Sequence, residues 1–295
     1  MKHISRTMKD QSGIAVLSVI LCVAIMASLA AAVLNLERQS HQIVSQDRND
    51  LKSQSIVEAA LIQTVAGMLE RNPKLRWKSN GSPRRLEIHN VGAIVTIRSE
   101  NNRLDVNTAT RSAWIQLLKS SRLPFEMADK LTDQIFDWKD ENQLVRLNGA
   151  EQSAYIADGR SHLPENRPFT HVTELAAVLN MTPELLACLL PSLTLHSGRI
   201  EPKGNFNSSA LIKKAFGHPK VPTPIQVAQG QAYSIAINFQ NGGSSHNNKV
   251  EIIIRLTGDK KNPFWIHEWR EAKESFYFGD QTQLCPGLQE VSATL

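Results

Sequence analysis

The sequence is poor in the residues that build compact catalytic or metal centres. It has three cysteines, Cys22, Cys188 and Cys285, and no Cys-x-x-Cys pair, which excludes a zinc ribbon or a disulfide-dense scaffold. Histidines such as His89, His162, His171, His196, His246 and His267 are scattered, and no His-Glu-x-x-His spacing sets two imidazoles on one helix face. No Gly-x-Ser-x-Gly turn is present to expose a serine nucleophile, so the chain carries no hydrolase signature. Positive charge is thin as well: the net charge is +5, with no dense basic run to grip nucleic acid. Residues 111–139 and 167–191 faintly suggest helix-hairpin-helix units. Their turns, Arg122-Leu123-Pro124 and Asn180-Met181-Thr182, lack the glycine that lets backbone amides approach a phosphate, so no nucleic-acid partner is expected.

What the chain does have is one long apolar run. From Ile14 to Leu34 about 21 residues pass without a charge, enough as a helix to cross a ~30 Å hydrocarbon core. The leader before it, Met1 to Gly13, carries Lys2, Arg6 and Lys9 against Asp10, a bias that keeps the leader cytoplasmic and sends the rest across the membrane. Without that leader the net charge falls to about +3. One reading of the run is an uncleaved signal anchor. A second is a secretory signal peptide cut near Ala30-Ala31-Ala32, although the run exceeds the usual ~7–15 residues of such a region. A third rests on the junction itself, a polar leader ending in Gly13 with the apolar run starting at Ile14.

With 21% charged and 41% apolar residues, the exported part can bury an ordinary core. Helical character continues from Asn35 to about Leu69, with Val57, Leu61, Val65 and Leu69 on one stripe. One helix from Ile14 to Leu69 would be roughly 84 Å long; two helices with a break near Asn49 are the alternative. Asn80-Gly81-Ser82-Pro83 is turn chemistry, and Arg84 to His89 and Ala93 to Ser99 read as a hairpin around Asn90-Val91-Gly92. After Asn107 nearly a hundred residues are helical in character, including short helices over Val172–Leu179 and Pro183–Leu190. Strands return at Gln231–Phe239, Lys249–Thr257 and Phe264–Trp269, the first two separated by the turn-rich Gln240 to Ser245. The order helix, strands, helical block, strands implies an α+β fold: a small antiparallel sheet packed on the long helix, with a large helical domain inserted. Cys188 and Cys285 both lie in the exported part, and the sequence leaves open whether they pair.

The chemistry concentrates in Asp137-Trp138-Lys139-Asp140-Glu141-Asn142, followed by Gly149-Ala150-Glu151 and Tyr155. A run of side-chain oxygens past a helix end, with another carboxylate nearby and a glycine to bend the chain, suits a hard cation such as Ca²⁺, although the spacing is not that of an EF-hand. The same acids also read as a solvated helix end.

These features together resemble the minor pseudopilin K family of type II secretion systems. The Gly13–Ile14 junction is similar to the class III leader of type IV pilins and pseudopilins, which a prepilin peptidase cuts after the glycine before the new terminus is methylated. Such proteins usually carry Glu at the fifth mature position; here that position is Ser18, a departure that matches the K pseudopilins. The acidic cluster resembles their Asp-Trp-x-Asp-x-Asp, Gly-Ala-Glu and Tyr pattern, with Asn142 where Asp is usual. Leu104-Asp105-Val106-Asn107-Thr108-Ala109, Asn166-Arg167-Pro168-Phe169 and Asn205-Phe206-Asn207-Ser208-Ser209-Ala210 match in order. The resemblance implies a leader over 1–13, a transmembrane helix over 14–36, a pilin-like helix and first strands over 37–106, an inserted helical domain over 107–200, and a linker with C-terminal strands over 201–295. It further implies calcium held by Asp137, Asp140, Asn142 and Glu151, no enzymatic activity, and a single-pass inner-membrane protein with its C-terminal domain in the periplasm. Its expected partners are minor pseudopilins I and J, the pseudopilus and the prepilin peptidase, and its expected place is the pseudopilus tip, supporting export of folded proteins. The competing readings are a periplasmic scaffold or binding protein with an uncleaved anchor, and a membrane-anchored hydrolase.

Overall fold

The computed structural model describes residues 12–203, 209–217, 227–240, 247–271 and 285, the side chains of 12–16, 29–50, 247 and 271 excepted. Between Gly13 and Gly67 there is neither glycine nor proline, and α1 is a helix over Ser12–Met68 with no break at Asn49. The chain divides into two units, Met1–Ser55 and Ile56–Leu295.

In the first unit the leader residues 1–11 lie outside the described residues, as do the side chains of Gly13 and Ile14. Ser18 is exposed, and so are Leu17, Val19, Ile20, Leu21, Val23, Ile25 and Met26. Among the described residues no helix is long and apolar enough to cross a membrane; the expected span needs residues 29–34, whose side chains are not among them.

In the second unit a five-stranded antiparallel sheet has the order β1-β2-β5-β6-β7. Its strands are β1 Arg84–Ile88, β2 Val91–Ser99, β5 Ala232–Gln240, β6 Asn247–Leu256 and β7 Phe264–Glu271. Alternation along β2 buries Ala93, Val95 and Ile97 together with Ile235, Ile237, Ile252 and Ile254 from the neighbouring strands. Ile56, Val57, Ala60, Leu61, Val65 and Met68 of α1 complete this core. The predicted stripe thus ends on Met68, and Leu69 lies beyond the helix, 39% exposed. Gly67 lets Trp77 close over the helix end: a Cβ there would stand 2.5 Å from the indole. The hairpin turn also differs from expectation. His89 and Asn90, with φ of 50° and 64°, form the two-residue turn, because positive φ at both central positions matches the twist of the strands. Val91 and Gly92 are already in β2, opposite Ile88 and Glu87. Of the predicted loop after β5, residues 241–246 lie outside the described residues.

Between β2 and β5 the chain builds a second core from α2 Arg111–Ser120, α3 Phe125–Lys139, α4 Gln152–Ala157, a 3-10 turn over Val172–Ala177, and α5 Pro183–Leu189. Thr110 caps α2 through the Ala113 amide and Thr182 caps α5 through the Leu185 amide. At Val172–Ala177 the cap is His171, while the Glu174 carboxylate accepts from the backbone amides of Thr170 and His171. A short parallel pair, β3 Leu104–Asp105 against β4 Leu193–Thr194, joins the two ends of the helical block. Beyond it, α6 Ala210–Phe216 contributes Leu211 and Ile212 to the helical core. The pairing left open by the sequence is resolved: Cys188 on α5 and Cys285 form a disulfide across 97 residues.

Candidate functional site

The site grows from α3. Ala128, Leu131, Ile135 and Trp138 recur at helical spacing and bury against Trp114, Leu117 and Leu118 of α2. That orientation fixes a second row, Asp129, Asp133 and Asp137, four residues apart, which Asp140 continues at the C-cap. The loop from Glu141 to Ala150 folds back over the row. Arg111 binds Asp129 at 2.6 Å and Asp133 at 2.9 Å, while Asn148 donates its side-chain amide to Asp129 at 3.0 Å and its backbone N–H to Asp133 at 3.3 Å.

Farther along, Arg146 takes both remaining acids. Its backbone N–H donates to Asp137 Oδ2 at 3.1 Å, its Nε lies 3.1 Å from Asp137 Oδ1, and its Nη2 donates to Asp140 Oδ2 at 3.1 Å. Gly149 is required here by proximity, since a Cβ would stand 1.9 Å from Asp137 Oδ2. Asn142 turns into its own loop, donating to Asp140 and accepting from the Leu144 amide at 2.7 Å. Glu151 is 3% exposed, and neither of its carboxylate oxygens has a hydrogen-bond partner. Burial pushes its carboxyl up to about 7, with the charges of Asp137 and Asp140 adding to the shift. Asp137 is also raised by burial, against the opposing effect of Arg146.

Three neighbours set the frame. Burial lowers Lys139 to about 8, and its Nζ donates to the carbonyls of Val106 and Asn107 at 3.0 and 2.8 Å. Tyr155 is fully buried with its ring 5.4 Å from Trp138, and its hydroxyl accepts from the Leu179 amide; burial pushes it up to about 12. Asp105 fastens the base of the block: Oδ1 accepts from the amides of Asn107 and Thr108, and Oδ2 from Gly198.

Of the predicted site residues, Asp137 and Asp140 therefore meet on Arg146, Glu151 lies buried beside them, and Asn142 is engaged in a turn. Among the described residues no three His, Cys, Asp or Glu side chains are grouped to hold a metal ion. The residues that sequence reasoning missed are Arg146, Asp129 and Asp133. The i, i+4 spacing of the acids carried a signal; that of Arg146, inside a loop, did not. Glu151 nonetheless keeps both buried oxygens unpartnered and feels the charges of Asp137 and Asp140, and such unused acceptor capacity is what a hard cation takes up.

Fold and site together define a mixed helix and antiparallel-sheet protein carrying a helical block with a buried acidic centre. Residues 86–198, running from β1 past β4, match the family described as type II secretion system (T2SS), protein K. It is 27% identical over 200 residues to type II secretion system protein K of Klebsiella pneumoniae, covering 61% of each chain. The corresponding protein of Dickeya chrysanthemi is 39% identical over 66 residues, 22% of this chain and 18% of that one. That of Pectobacterium carotovorum subsp. carotovorum is 25% identical over 203 residues, 61% of this chain and 62% of the relative. The chain thus spans about three fifths of the length of the first and third of these relatives. In fold it is similar to a chain of the crystal structure of the GspK-GspI-GspJ complex from the enterotoxigenic Escherichia coli type 2 secretion system. The TM-score is 0.57 at 13% identity, over 78% of this chain and all of that one.

Proposed function

We propose that this protein is a minor pseudopilin of a type II secretion system, placed at the tip of the periplasmic pseudopilus and supporting export of folded proteins. The observation that carries this reading is the family match over residues 86–198, which contains the acidic loop, the helical core and the β3–β4 base. In this reading the prepilin peptidase cuts between Gly13 and Ile14, and residues 14–36 hold the subunit in the inner membrane. The helix then bundles with those of other pilin-like subunits, its Ile56–Met68 end packed on the sheet. Ser18 supports the tip position: a fifth-position carboxylate suits pairing with the amino terminus of a subunit above, and this chain has none to offer. The partners are minor pseudopilins I and J, as in the complex of similar fold. The role is structural rather than enzymatic, and the missing nucleophile and zinc signatures support it.

The acidic centre is a calcium site in this reading, held by Asp137, Asp140 and Glu151, with Asn142 at its edge. The ion would supply charge neutralisation to a loop otherwise closed over buried carboxylates. Co-expression of the full chain with the I and J pseudopilins of the same system tests the assignment. A ternary complex surviving gel filtration supports it, and elution of the chain alone contradicts it. Separately, thermal unfolding of the full chain with calcium and with chelator tests the ion, since a ligand that binds only the native state raises the midpoint.

A further inference from the structure

We propose that Arg146 is a tethered counter-ion of the acidic centre that is displaced when a divalent cation binds. The inference rests on the calcium reading of that centre. Arg146 bonds the two expected ligands nearest the loop, lying 3.1 Å from Asp137 Oδ1 through Nε and 3.1 Å from Asp140 Oδ2 through Nη2. It is also placed to leave. Its side chain is 41% exposed, whereas the Asp137 side chain is fully buried, so the cation can swing into water while the acid stays in place. Lys139, the other basic group nearby, is held instead by the carbonyls of Val106 and Asn107 and has no contact with these acids.

One positive charge is a poor match for what surrounds it. Arg146 neutralises Asp137 and Asp140 in part, and Glu151 keeps both oxygens unpartnered. A divalent ion brings twice the charge and accepts more oxygen ligands than a guanidinium fork can contact. The exchange reaches the surface, because Arg146 sits among Leu144, Val145 and Leu147, which are 78%, 58% and 95% exposed. Arg146 therefore sets the affinity of the site and ties its occupancy to the posture of these exposed apolar residues.

The test is calorimetric titration of CaCl₂ into the full-length protein in detergent, for wild type, Arg146→Gln, Arg146→Lys and Asp137→Asn, with thermal unfolding in chelator alongside. Arg146→Gln is expected to bind calcium roughly tenfold more tightly than wild type, the scale of coupling between two binders that oppose each other. Its midpoint in chelator should fall below that of wild type, while the calcium-loaded midpoints coincide. Arg146→Lys keeps the charge and should stay closer to wild type in affinity. Equal or weaker binding by Arg146→Gln, with wild type binding and Asp137→Asn not, overturns the counter-ion role and leaves the calcium site standing. Absence of heat and of any midpoint shift in both wild type and Arg146→Gln overturns the calcium reading, and this inference with it.

Discussion

Asn107 and Phe169 lie 62 residues apart and pair as two strands would. The Asn107 Oδ1 accepts from the Phe169 amide at 2.9 Å, and its Nδ2 donates to the Phe169 carbonyl at 2.9 Å. A side-chain amide thus stands in for a peptide unit and ties the start of the helical block to the segment before the 3-10 turn. Lys139 donates to the Asn107 carbonyl on the same residue, so one asparagine joins three parts of the domain. Asn107→Asp removes the donor and faces a carboxylate toward a carbonyl. It should destabilise the protein by about 1–3 kcal/mol, read as a lower urea midpoint at unchanged slope.

Gly149→Ala should cost more than its half-buried loop position suggests. The new methyl would stand 1.9 Å from Asp137 Oδ2, and Asp137 is fully buried and paired with Arg146. A loss of about 1–3 kcal/mol in chelator is expected from overpacking, together with weaker calcium binding. A midpoint equal to wild type in both conditions would show that the loop opens freely.

Acid should loosen the junction between β7 and the base of the helical block. His267 is held below the ordinary histidine range by burial first, then by His196 and Arg255, whose Nε donates to its ring nitrogen at 3.1 Å. A group with a depressed folded-state pKa contributes stability that is present above its unfolded value, near about 6.5, and lost as pH falls through the folded one. The pH dependence of unfolding over that window should flatten in His267→Gln. A slope unchanged by the substitution would assign the effect to another group.

Reduction should weaken the helical core specifically. Cys188 is buried in α5, and the disulfide closes a loop of 97 residues to Cys285. Breaking such a bond typically costs about 2–5 kcal/mol. Cys188→Ser and reductant-treated wild type should share one lowered midpoint, and reductant should not lower Cys188→Ser further.

What could be read from the sequence was periodic. Alternation in Ile94 to Arg98 marks a strand, and β2 buries every second residue; Met127, Leu131, Ile135, Phe136 and Trp138 read as one helix, of which Leu131, Ile135 and Trp138 are buried, Phe136 is partly buried and Met127 is exposed. The hairpin turn was displaced because Gly92 carries a turn signal in composition, while the conformation is borne by His89 and Asn90. The acidic residues of the site were visible because four carboxylates or amides in a short stretch are unusual. Their arrangement was not: whether Glu151 is buried, and whether Arg146 folds onto Asp137, depends on how a ten-residue loop returns over α3. The disulfide was invisible for the same reason, since a separation of 97 residues carries no local pattern.

The most direct test of the pseudopilin assignment is the amino terminus of the mature protein. Mass spectrometry of the chain extracted from inner membranes of cells with an active prepilin peptidase should find it starting at Ile14, carrying one methyl group. It should find the uncut leader from Met1 when the peptidase is deleted. A mature protein that keeps Met1, or that begins near Ala32, in cells with active peptidase would contradict the assignment.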